Sequence, residues 1–248
     1  MGNDMEMSGQ TALVTGATAG IGRAVAVQLA QEGAEVVVHG RDARRGDEVV
    51  AGIETAGGRA RFVEADLTDT AEVLRLALEA GEVDILVNNA GVYKFLPTSR
   101  MTDELFDLHM GLNTRAPYLL VRELAPGMVA RGHGSVVNVG TLAASVATQG
   151  TGMYAASKAA LEQLTRVWAA EYADKGIRVN AVAPGPVRTP GTDAMEAATL
   201  KAIAHTTALG RVAEPEEVAE AVAFLASDRA SYITGEVLEV AGGRPGIG

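Results

Sequence analysis

The stretch TALVTGATAGIG, residues 11–22, decides the fold. Its first five residues, TALVT (11–15), contain an unbroken apolar core, as expected of a strand buried on both faces. Gly16, Gly20 and Gly22 follow, and residues 21–32 then run with helical spacing. In such a strand-turn-helix the first glycine permits the tight turn. The second lets backbone approach a pyrophosphate, and the third lets the helix pack closely on the strand. N–H groups left free at the helix start favour an anion there. A glycine run alone also makes ordinary turns. The strand before it and the helix after it convert this one into a dinucleotide-binding expectation.

Working outward, the same alternation repeats along the chain. EVVVH (35–39), ARFVEA (60–65), DILVN (84–88), SVVNVG (135–140), RVNAVA (178–183) and VLEVA (237–241) read as further strands. Helical patterns fill 43–56, 70–80, 103–131, 153–174 and 215–227. Repeated strand-helix units with doubly buried strands predict an α/β fold, a doubly wound parallel sheet of Rossmann-like type in a single domain spanning 1–248. Ligands of such sheets lie beyond the carboxyl ends of the strands. Residues 184–213, rich in Pro, Gly and Thr, show no clear element. A loop of that length predicts a lid or binding segment, with the substrate loop at about 186–212.

Bulk composition removes other classes. A formal net charge of −10 opposes nucleic-acid and anionic-membrane binding. The absence of cysteine excludes disulfides and thiolate metal sites, and His39, His109, His133 and His205 have no ligand spacing, so no metal is expected. MGNDMEMSGQ lacks the basic and apolar regions of a secretory leader, and no run of 18 apolar residues occurs, which makes a cytoplasmic protein the expectation. At the second strand's tip, VVVHGRD (36–42), an acidic residue would favour NAD. His39, Gly40 and Arg41 stand there instead, and a guanidinium suits the 2′-phosphate of NADP, with Asp42 close by. NADP(H) is therefore preferred and NAD(H) stays open.

These residues resemble the short-chain dehydrogenase/reductase family over nearly the whole chain, from about Thr11 to Gly243. TGATAGIG resembles its TGxxxGxG loop, NNAG (88–91) the motif ending its fourth strand, and YAASK (154–158) its tyrosine-lysine pair. APGPVRT (183–189) resembles its nicotinamide loop, and residues 210–243 its C-terminal helix and strand, with Ala241 where the family often has Asp. The resemblance implies cofactor contacts from Gly16, Thr18, Gly20, Ile21, Gly22, Arg41, Asp66, Leu67, Asn89, Ala90, Gly91, Pro184, Gly185, Val187 and Thr189, besides Tyr154 and Lys158. It places Asn113, in GLNTRAP, as the active-site asparagine that holds a water behind Lys158. It also implies a homo-oligomer, expected to be a tetramer built on the two long helices and the last strand.

The chemistry needs a proton for the oxygen left by hydride transfer. Free tyrosine has a pKa of about 10, too high to cycle easily near neutrality. Spacing of i, i+4 puts Lys158 on the helix face of Tyr154, and two unit charges roughly 4–5 Å apart interact by about 3–4 kcal/mol at an effective dielectric of 20. Lys158 is thus expected to lower the pKa of Tyr154, the general acid/base, and by resemblance to bond the nicotinamide ribose. The family's partner serine lies 13 residues before its tyrosine; here that position is Thr141, whose hydroxyl keeps the donor role, with Ser145 as its competitor. Tyr93, Phe95 and Met153, with the 190–207 loop, are candidates for the substrate pocket wall, whereas Ser157 is left out of the chemistry and His109 is read as a helix-face residue.

A small ketone or secondary alcohol is the expected substrate. A 3-oxoacyl-carrier-protein reductase is the alternative; the docking arginines of such enzymes fall by resemblance at Gly132 and Ala170, although Arg131 is adjacent. A non-catalytic cofactor-sensing regulator is a second alternative, opposed by the presence of both Tyr154 and Lys158.

Overall fold

The structure is a computed structural model and describes residues 6–193 and 196–243. Seven strands, β1 (Thr11–Val14), β2 (Glu35–Gly40), β3 (Arg59–Glu64), β4 (Ile85–Asn88), β5 (Gly134–Val139), β6 (Ile177–Pro184) and β7 (Val237–Val240), form one sheet in the order β3-β2-β1-β4-β5-β6-β7. Every pairing is parallel. Neighbouring residues of one strand feed opposite cores. Val14, Val36 and Val38 pack with α1 (Gly20–Gln31), α2 (Ala43–Thr55) and a C-terminal helix (Pro215–Ala226). Leu13, Val37 and Leu86 pack with α3 (Thr70–Ala80) and with the helical stretches at 116–131 and 152–172. Burial on both faces is why these strands read as continuously apolar. Only the edges are wetter, as in β7.

The stretch 103–131, expected as one helix, is α4 (Asp103–Met110), a π-helical segment (Gly111–Arg115) and α5 (Ala116–Arg131). Pro117, at the start of α5, has no N–H to bond the carbonyl four residues back, and the π-helical segment lies directly before it. Helix α6 (Gly152–Tyr172) follows β5.

The segment expected to have no clear element holds two short helices, α7 (Pro190–Asp193) and α8 (Ala197–Ala204), before α9 (Pro215–Ala226). Its neck is pinched shut, with Ala213 N donating to Pro186 O and Arg188 N to Ala213 O at 2.9 and 2.8 Å. Residues 194–195 of the expected substrate loop lie outside the described residues. No described helix is long and apolar enough to cross a membrane.

Candidate active site

Strand order reverses at β1, which pairs with β2 on one side and β4 on the other, so the turns after β1 and β4 share one crevice. The turn after β1 is fixed by three polar side chains. The Thr15 hydroxyl donates to Val87 O (3.2 Å) and accepts the amides of Asn89 and Ala90 (3.0 Å each). The Asn89 amide donates to Thr15 O (2.8 Å) and Gly16 O (3.1 Å). His39, buried at the end of β2, accepts Gly16 N–H through Nδ1 (3.1 Å), so Nε2 carries the proton and donates to Ala65 O (3.1 Å). Burial pushes its pKa down to about 4, which keeps the imidazole neutral near pH 7.

The glycines are required by contact. A Cβ on Gly22 would stand 2.2 Å from Gly16 O. Gly20 has φ +53°, and a Cβ there would stand 3.2 Å from Thr189 Cγ2, so the 184–189 loop lies across the glycine turn. Helix α1 starts at Ala19 with no side-chain cap and no acidic residue in its first turn. Its first N–H groups are left to an anion in the crevice.

At the tip of β2, Arg41 is exposed, while Asp42 turns away to cap α2, accepting Arg45 N–H at 3.1 Å. The side chain that complicates the sequence reading is thus occupied by a helix terminus. Asp66 accepts the Thr68 amide (3.0 Å) and hydroxyl (2.9 Å), and these bonds hold its carboxyl below the ordinary range.

The second half of the crevice is built at the end of β5 and the start of α6. The Thr141 hydroxyl accepts Ala143 N–H (3.3 Å) and lies beside the Tyr154 phenol, where it favours the phenolate. Burial outweighs that effect and leaves the phenol above its ordinary pKa. Lys158 is buried, donates from Nζ to Val139 O (2.6 Å), and is pushed down to about 8 by desolvation. A Cβ on Gly91 would stand 3.3 Å from Lys158 Nζ and 3.1 Å from Asn113 Oδ1, which brings the end of the NNAG turn against both. A tyrosine with a hydroxyl partner and a buried lysine thus face a phosphate cradle across one sheet edge.

A family model described as enoyl-(acyl carrier protein) reductase matches residues 16–244. A solved structure described as a short chain dehydrogenase/reductase family protein is 52% identical, with a TM-score of 0.90 over 96% of this chain and 98% of its own. The chain belongs to the short-chain dehydrogenase/reductase family. It is similar to cis-4-hydroxycyclohexanecarboxylate dehydrogenase of Sinomonas cyclohexanicum, 40% identical over 94% of this chain and 96% of that protein. It is also similar to a 3-oxoacyl (acyl-carrier-protein) reductase of Agrobacterium tumefaciens C58 solved with NADP bound, 32% identical, TM-score 0.93, covering 97% and 96% of the two chains.

In this short-chain dehydrogenase/reductase the residues singled out from sequence gather at one sheet edge. Ile21 packs on the α1 side, Leu67 is buried beyond β3, and Thr18 lies against Gly40, where a Cβ would stand 2.4 Å from its Cγ2. Pro184 ends β6, Gly185 N donates to Val240 O (3.0 Å), and Val187 is buried at the pinched neck. Tyr93 and Phe95 stand around Tyr154, with ring centroids 6.5 and 5.6 Å from its own, and half-buried Met153 precedes it on α6.

Several expectations need correction. In the chain alone burial raises the Tyr154 phenol, and the Lys158 ammonium is tied to Val139 O. Helix spacing gave the shared face but not the strand carbonyl that captures Nζ. Ser145 is not a rival to Thr141, because it is exposed and its hydroxyl closes a turn on Leu142 O (3.1 Å).

Asn113 spends both N–H groups on Val92 O (2.9 Å) and Ser157 Oγ (3.0 Å), while its Oδ1 accepts Val92 N–H (2.8 Å). Its visible work is to clamp the chain beyond NNAG. Ser157 and His109 each bond segments beyond their own turn of helix. Ser157 is fully buried and links Asn113 to Tyr154 O (2.8 Å), and fully buried His109 accepts Lys94 N–H (3.2 Å). The sequence reading also passes over Glu162, a mostly buried carboxylate one turn beyond Lys158. Oε1 of Glu162 accepts Thr141 N–H at 3.4 Å, and burial raises its pKa. Continued i, i+4 spacing from Tyr154 through Lys158 to Glu162 was the available signal.

Proposed function

We propose that this chain transfers a hydride between NADP(H) and a small ketone or its secondary alcohol, with Tyr154 as general acid/base. The observation that carries the reading is the half-buried Tyr154 phenol beside the Thr141 hydroxyl, on the same crevice as the uncapped start of α1. The residues present suit the cofactor. The α1 N-terminus and the glycine turn would hold the pyrophosphate, Arg41 a 2′-phosphate, Asp66 and Leu67 the adenine end, and Asn89 to Gly91 with Pro184 to Thr189 the nicotinamide end. Occupation of Asp42 by its helix cap supports NADP over NAD.

The bound cofactor supplies or accepts the hydride. Tyr154 gives its proton to the carbonyl oxygen, and its raised pKa keeps the phenol in the donating form at neutral pH. Thr141 O–H steadies the same oxygen as charge develops on it. Lys158, fixed at Val139 O, keeps two further N–H groups for the ribose. Asn113, through Val92 and Ser157, holds the floor of the site.

Against a carrier-protein substrate, Arg131, the cation nearest the expected docking positions, is turned inward to Val83 O and Asp84. With a net charge of −10 the surface repels an acidic partner. The half-exposed Tyr118 and Val167 on α5 and α6 support assembly of copies through those helices, in a cytoplasmic homo-oligomer that we take to be a tetramer.

NADPH and NADH oxidation against a carbonyl panel tests the reading. Tyr154→Phe is expected to cut turnover about 1,000-fold while NADPH affinity is kept. Turnover that survives the substitution removes Tyr154 from the mechanism.

A further inference from the structure

We propose, resting on the reductase reading above, that the substrate is a ring ketone seated on a two-ring aromatic wall formed by Tyr93 and Phe95, rather than an open acyl chain. The wall is an extended piece of chain after β4, anchored at every second residue. Val92 exchanges both main-chain groups with the Asn113 amide (2.8 and 2.9 Å). Lys94 N–H bonds His109 Nε2 (3.2 Å), and Leu96 N–H bonds Gly150 O (2.8 Å). His109 is itself locked: its Nε2 must accept that amide, so Nδ1 carries the proton and donates to Leu105 O (2.7 Å).

With residues 92, 94 and 96 tied to the protein, the side chains between them share the other side, as alternation in extended chain requires. Both reach the catalytic phenol. The Tyr93 and Phe95 rings stand edge-on to Tyr154, at 68° and 67°, and 6.1 Å from each other. The upper end is braced by α7. A Cβ on Gly191 would stand 2.0 Å from the Tyr93 hydroxyl oxygen, so glycine there lets the tyrosine lie against α7.

Each ring nevertheless remains about half exposed, 48% for Tyr93 and 52% for Phe95. Two large apolar rings fixed beside a reacting group and left open to solvent are a binding surface rather than core. Their faces suit a flat partner. A ring stacks or meets them edge-to-face over a wide area, and it has few torsions to freeze against a preset wall. An acyl chain offers a narrow cross-section and loses several rotors. The anchors make this a preorganised surface: the aromatic rings supply the contact, while Asn113 and His109 set where they stand.

The test compares 1-tetralone with ethyl acetoacetate as probes, read as the ratio of their kcat/KM values with NADPH. Wild type is expected to favour 1-tetralone at least about 10-fold, and the ratio should fall about 30-fold in Tyr93→Ala/Phe95→Ala, the size expected of two aromatic contacts. Phe95→Leu, which keeps apolar volume, should give a smaller fall and guards against a misfolded double variant.

A wild-type preference for the linear probe, or a ratio unmoved by the substitutions, overturns the proposal while leaving the reductase reading intact. If neither probe is reduced although NADPH binds, the reductase reading fails. Saturation-transfer NMR of 1-tetralone on the protein with NADP then decides the wall by itself. A transfer signal lost in the double variant supports it, and no signal in wild type overturns it.

Discussion

The two ends of the crevice are fixed in opposite ways. At the glycine turn, buried or half-buried side chains of Thr15, His39 and Asn89 bond the main chain directly, and no large side chain is left over. At the other end, the backbone of 92–96 is held by Asn113, His109 and Gly150, while Tyr93 and Phe95 stand half in solvent. The first end presents backbone to its ligand and needs an exact path. The second presents side chains and needs only a fixed mount. A mount of that kind lets the exposed rings change without disturbing the phenol behind them.

The largest effect expected from this contrast lies at the seam between the ends. Thr141→Ala should lower kcat about 100-fold, since it removes the donor on the phenol and the developing oxyanion. Thr141→Ser should be nearly silent and Ser145→Ala silent. A harmless Thr141→Ala with a costly Ser145→Ala would reverse the assignment.

Next comes the lock at the nucleotide end. His39 takes up its proton at about 4 in the folded chain against an ordinary 6.5, so the unfolded chain protonates first as pH falls. The stability it secures is intact above 6.5 and is lost through about 4, a change of about 3 kcal/mol. Urea unfolding at both ends of that window, for wild type and His39→Gln, measures it. Equal losses in the two proteins would show that another group titrates.

Lys158 is held at a comparable disadvantage. Its folded pKa of about 8 lies below the ordinary 10.5, so native stability should rise with pH between those values. Lys158→Met is expected to stabilise the fold at pH 7 by about 2 kcal/mol, with the gain fading by pH 10. A destabilised variant would mean that the Val139 O bond outweighs the burial. The smallest effect is at Arg41, on the surface: Arg41→Ala should weaken NADPH about 30-fold and leave NADH unchanged. Equal losses for both cofactors would remove the 2′-phosphate assignment.

How much of this was legible varies with what each feature depends on. Strand positions emerged within a residue or two, because burial on both faces writes an unbroken apolar run. The break in 103–131 did not: a proline inside a helical pattern announces a defect, yet the π-helical form it takes depends on what Asn113 must reach. The hydroxyl at Thr141 was singled out by counting back from Tyr154 at the separation that the family resemblance implies. Helical spacing gave only part of the setting of Lys158. It places a side chain on a face but says nothing of a carbonyl on the neighbouring strand.

The sequence by itself determined the doubly wound sheet, the glycine turn after β1 and the shared helix face of Tyr154 and Lys158. These rest on local chemistry and on periodicity, which a single segment carries. Only the tertiary structure decided that burial raises the phenol, that His39 locks the glycine turn, and that His109 and Asn113 mount an aromatic wall beside it. Those outcomes depend on desolvation and on hydrogen bonds between segments far apart in the chain, and no short stretch of sequence contains both partners.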